Sequence, residues 1–94
     1  MEFIEYLRNR HSLQRGAKKL SDVSSDQYAN RLHNLLRKGI YNKEKEITDE
    51  ILRMIENEYK RGIDLYPRTI RYYIEFMAYE EYLHEGSLLS LSNL

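Results

Sequence analysis

The chain has no cysteine among its 94 residues. Disulfides and thiolate metal sites are therefore excluded, and a reducing compartment fits. Its apolar runs are too short to span a bilayer, so no membrane-crossing segment is expected. The N-terminus, MEFIEYLRNR, carries acidic residues where a secretory signal needs basic ones. The expected location is the cytoplasm. Glycine is scarce and dispersed: the four glycines sit at expected helix ends, and no glycine-rich loop is available to cradle a phosphate. Net charge is missing too, with Lys+Arg and Asp+Glu each numbering 15. That balance excludes an indiscriminate polyanion binder.

The length fits one domain, with a core over 2–86 and a leucine-rich tail over 87–94. Charge is unevenly distributed along it. Residues 1–45 hold ten basic and five acidic side chains, and residues 46–94 hold five basic and ten acidic. Either this polarity gives a neutral protein a basic face, or the two halves attract each other across the fold.

Hydrophobic periodicity predicts four helices. The first covers 3–10, with Phe3, Ile4, Tyr6 and Leu7 on one side and Glu2 and Glu5 near its positive end. A polar connection, 11–23, follows, in which Ala17 to Leu20 can add a short turn. The second helix is expected from Ser24, as N-cap of a capping box with Gln27, and Val23 and Tyr28 occupy the staple positions. It carries a Tyr28, Leu32, Leu35, Leu36 stripe and ends at Gly39. The third is capped by Thr48, buries Ile51, Leu52, Ile55 and Tyr59, and runs to Gly62. The fourth opens at Pro67 as first helical residue and closes at Gly86. It bears two apolar stripes: Ile70, Tyr73, Ile74, Met77 and Tyr72, Phe76, Tyr79, Leu83. A helix apolar on two sides belongs at the centre of a bundle.

FIEYLRNR, SSDQYANRLHNLLRKG, ITDEILRMIENEYKRG and YPRTIRYYIEFMAYEEYLHEG, in that order, resemble the N-terminal core-binding domain of tyrosine recombinases and phage integrases. The likeness spans about residues 2–86. Ser25, Tyr28 and Leu32 match that family's second helix. Pro67, Arg68, Thr69 and Ile70, with Phe76, Tyr82 and Leu83, match its last. The resemblance implies an all-α, four-helix, SAM-like orthogonal bundle whose second and fourth helices face duplex DNA. The family's chemistry lies in a separate C-terminal domain that these residues do not include, so either a free-standing domain or a piece of a larger integrase is expected. The 11–23 connection is longer than the family's, and Tyr66 replaces the small polar cap expected before the proline.

No catalytic constellation accompanies the nine tyrosines, since a tyrosine nucleophile needs an activating base or cation and donors for the developing charge. Glu81 and His84 form one Glu-x-x-His pair, whereas a bundle di-iron site needs two and further glutamates. Neither a metal nor another cofactor is expected. DNA contact has the best positive case. Helix N-termini attract phosphates, and Ser, Thr, Gln, Arg and Lys side chains supply contacts to backbone and base edges. The expected set is Lys18, Lys19, Ser24, Ser25, Gln27, Arg31, Arg68, Thr69 and Arg71, without catalysis. The alternative is a protein-interaction module. In that reading Leu88, Leu89 and Leu91, with helix-four tyrosines, meet a second copy of the chain or a recombinase-related partner.

Overall fold

The turns show most directly how the sequence builds the fold. In the computed structural model, residues 1–92 are described, with side chains described through Gly86. The elements are α1 (Phe3–Leu13), α2 (Asp22–Arg37), α3 (Asp49–Glu58) and α4 (Leu65–Ser92). After α2, Gly39 adopts φ of 69°, the left-handed geometry that glycine takes at no steric cost. Its N–H donates to the Leu36 carbonyl, and the Ile40 N–H donates to the Leu35 carbonyl. This is a Schellman closure, and both Leu35 and Ile40 are buried, which supplies its usual apolar contact. The following chain is thereby aimed into the core, where Tyr41 is buried and donates its hydroxyl to the Glu44 carbonyl at 2.6 Å. Thr48 then caps α3 by accepting the Ile51 N–H at 3.2 Å.

The fold is an all-α four-helix bundle. Helix α4 packs against both α1 and α2, and α1 packs against α2. An aromatic layer joins them: Phe3 and Tyr6 of α1 meet Tyr73 and Phe76 of α4 at centroid distances of 5.3 to 5.7 Å. Tilted and edge-on rings of this kind add to simple area burial. Leu7, Leu32, Leu35, Ile51, Ile55 and Ile70 complete the core. The expected stripes of α4 are used as far as Tyr79, with Ile70, Tyr73 and Phe76 buried and Tyr72, Ile74, Met77 and Tyr79 packed against them, whereas Leu83, expected in the second stripe, is exposed because it lies beyond the reach of the other helices.

Several boundaries differ from those the sequence predicts. Helix α1 runs a turn further, because Leu13 still packs on the core. The cap of α2 is Ser21 rather than Ser24: its side chain accepts the Ser24 N–H at 3.0 Å. Val23, expected as a staple residue, is 66% exposed. Helix α3 stops at Glu58, since Tyr59 turns extended and stacks on Tyr66 at 3.7 Å and 14°. Helix α4 starts two residues before Pro67, which sits in the first turn, where its missing N–H costs nothing. Gly86 does not end it. The helix continues through Ser92, as an isolated glycine in a helix costs only about 1 kcal/mol relative to alanine. Leu88, Leu89 and Leu91 have side chains outside the described residues.

Candidate nucleic-acid interface

Spacing by three and four residues places Ser24, Gln27, Tyr28 and Arg31 on one face of α2, and Arg68, Arg71, Tyr72 and Glu75 on one face of α4. The packing of α2 on α4 brings those faces together through Tyr28 and Tyr72, whose rings meet edge-on at 5.0 Å and 87°. Both arginines of interest converge there. The Arg31 guanidinium lies 5.3 Å from the centre of the Tyr28 ring, a cation–π distance. Arg68 is a neighbour of Tyr28, whose hydroxyl raises the arginine pKa above its ordinary value. Arg68 and Arg71 are exposed, Arg31 is half-buried, and Gln27 is exposed beside Tyr28.

Two acidic positions beside this seam are engaged by arginines of α1, while Asp64, one turn before Arg68, adds an opposite charge near that arginine. Arg8 of α1 reaches Asp22 at 3.9 Å and Asp26 at 3.2 Å. Arg10 holds Glu75 through two contacts of 2.7 and 3.1 Å and lies 4.8 Å over the Tyr72 ring. Among the described residues, no carboxylate oxygen lies within 4.0 Å of Arg31, Arg68 or Arg71. Lys18 and Lys19 are exposed on the irregular stretch that leads into α2.

Three expected contact residues are placed differently. Ser25 is fully buried and its hydroxyl has no partner. It shares the core-facing side of α2 with Leu32, so it packs rather than contacts a ligand. Thr69 is fully buried and donates its hydroxyl to the Leu65 carbonyl at 2.7 Å. This is the back-bond that a helical threonine makes when it faces inward. Ser24 is half-buried, and its hydroxyl accepts from Ser21 at 3.0 Å. Glu81, half of the Glu-x-x-His pair, is bound to Lys45 at 2.7 Å. Sequence reasoning missed Arg8, Arg10 and Tyr72 as parts of the seam. The Arg68–Tyr72 spacing was available as a hint; the Arg10–Glu75 pair, 65 residues apart, was not.

Comparison of the chain with protein-family models, curated proteins and solved structures returns no match. No helix among the described residues is long and apolar enough to cross a membrane.

Proposed function

We propose that this chain is a non-catalytic DNA-binding domain resembling the recombinase core-binding module, serving a phage or mobile element as an accessory factor or repressor. The observation that carries the reading is the seating of Arg31 on the Tyr28 ring at the α2–α4 seam, with exposed Arg68 and Arg71 on the adjoining face of α4 and no carboxylate oxygen within 4.0 Å of the three among the described residues. A guanidinium is planar, weakly hydrated and matched to phosphate oxygens, so an arginine already held in place loses little freedom on binding one. The local field at the seam, rather than the zero net charge, governs encounter with a duplex. Exposed Gln27 and Arg71 are of the types that read base edges. Burial raises the pKa of Tyr6, Tyr41 and Tyr59, the opposite of what a tyrosine nucleophile requires.

A gel shift on duplex DNA at low salt tests the reading. Wild-type protein binds, and Arg31→Ala and Arg68→Ala weaken binding; no shift at low salt refutes it. One observation favours the interaction alternative: Tyr82 is 71% and Leu83 41% exposed on the distal part of α4. Light scattering on the full chain and on a chain ending at residue 86 tests it, and a monomer in both cases removes tail-mediated self-association.

A further inference from the structure

We infer that Arg10, on α1 and outside the DNA-facing set, positions Arg31 and Arg68 through the Tyr72–Tyr28 pair. The inference rests on the DNA-binding reading above. It adds that the geometry of the α2–α4 seam is set by the first helix.

The contacts form an unbroken series. Glu75 fixes the Arg10 guanidinium by two hydrogen bonds at 2.7 and 3.1 Å. That fixed plane lies 4.8 Å over the Tyr72 ring. Tyr72 meets Tyr28 edge-on at 5.0 Å, and Tyr28 carries Arg31 5.3 Å from its ring centre. The inner end of the series is anchored as well. The Gln14 side chain donates to the Tyr6 hydroxyl at 2.9 Å, and burial together with neighbouring Glu75 pushes Tyr6 up to about 12. Arg10 is ill-suited to be a phosphate contact itself, because Glu75 already neutralises it in a partly buried site. Its role is geometric. Such a role demands arginine, since a lysine ammonium can neither bind a carboxylate with a rigid fork nor lie flat on a ring.

Arg10→Lys is the decisive variant, with Glu75→Gln as a second should the first fold poorly. Both are expected to weaken duplex binding several-fold, and Arg10→Lys, which keeps the charge and removes no phosphate contact, is expected to leave the salt dependence at the wild-type value. In an Arg31→Ala background the loss caused by Arg10→Lys shrinks, whereas a merely structural role would lower affinity equally in both backgrounds. An equal loss in the two backgrounds, or wild-type affinity in both variants, overturns the inference. A DNA-free arm separates its failure from that of the functional reading. In nitrogen-15 spectra of the free protein, Arg10→Lys should shift the side-chain Nε–H signals of Arg31 and Arg68 and leave Arg71 unmoved. If wild-type protein fails to bind DNA, the functional reading falls and these spectra alone judge the positioning role; unchanged Arg31 and Arg68 signals end it.

Discussion

The salt dependence of DNA binding gives the sharpest quantitative test of the seam. A protein that neutralises Z phosphates loses affinity with a logarithmic slope of about −0.9Z against salt on duplex DNA. If Arg31, Arg68 and Arg71 each meet a phosphate, the slope is about −2.7, and affinity falls roughly 40-fold between about 50 and about 200 mM salt. If Lys18 and Lys19 also engage, the slope steepens to about −4.5 and the loss approaches roughly 500-fold. Arg68→Ala should flatten the slope by about 0.9, and Arg68→Lys should keep the slope while losing affinity, because charge remains but the bidentate fork does not. Fluorescence anisotropy with a labelled duplex, titrated at four or more salt concentrations, reads each slope. A wild-type slope near zero, or one that Arg31→Ala and Arg68→Ala both leave unchanged, would refute the assignment even if some binding were seen.

Three further outcomes follow from the packing. Ser25→Ala should leave DNA binding unchanged and raise stability by about 1 kcal/mol, since it deletes a buried hydroxyl that has no partner; chemical denaturation together with anisotropy checks both halves. Gly39→Ala should cost about 1 kcal/mol or slightly more, because φ is 69° while an added Cβ meets nothing within 4 Å, leaving conformational strain as the whole effect. The protein should also lose stability in alkali. Tyr6 is raised from 10.0 to about 12 in the fold, so its contribution is intact below pH of about 10 and is lost as pH rises toward about 12, amounting to roughly 2–3 kcal/mol by linkage. Denaturation of wild type and Tyr6→Phe across that range reads the difference, and parallel curves would contradict the assignment.

Helix existence, the core residues borne on helices and the Thr48 and Gly39 signals were legible in the sequence, because each depends on neighbours within a turn or two, whereas Ile40 and Tyr41, buried on the α2–α3 connection, carry no periodic signal. Leu32, Leu35, Ile51, Ile55, Ile70 and Tyr73 announce their burial through periodicity alone. Boundaries were less legible where tertiary contact overrides local grammar. Ser21 and Ser24 are both competent caps, and Arg8, reaching Asp22 and Asp26 from α1, favours the earlier start. Tyr59 leaves its helix to stack on Tyr66, a preference that becomes visible only once α4 is in place. The candidate site was legible in part. Arg31, Arg68 and Arg71 could be picked by residue type and placement, but Ser25 and Thr69 were picked by the same rule and face the core. Residue type at a helix start does not say which side of the helix faces outward. The edge-on Tyr28–Tyr72 contact, whose Tyr28 ring supports Arg31, requires the α2–α4 packing itself.

The charge polarity of the sequence left two readings open, a basic face or attraction between the halves, and the structure makes them compatible. Among the described residues, four ion pairs join the first half to the second: the N-terminal amine to Glu80, Arg10 to Glu75, Lys38 to Glu58 and Lys45 to Glu81. Most are exposed and contribute little stability individually. Their consequence for the surface is larger. Each occupies a carboxylate of the acidic half, and the cations that do so are not Arg31, Arg68 or Arg71. Arg8 does the same for Asp22 and Asp26 at the start of α2. Arg31, Arg68 and Arg71 thus stand with no carboxylate oxygen within 4.0 Å among the described residues, and Asp64 is an acidic neighbour of Arg68 beyond that distance. A zero net charge is then consistent with a locally positive seam, because an approaching phosphate responds within about one Debye length, ~8–10 Å at physiological salt, and not to the sum over the chain.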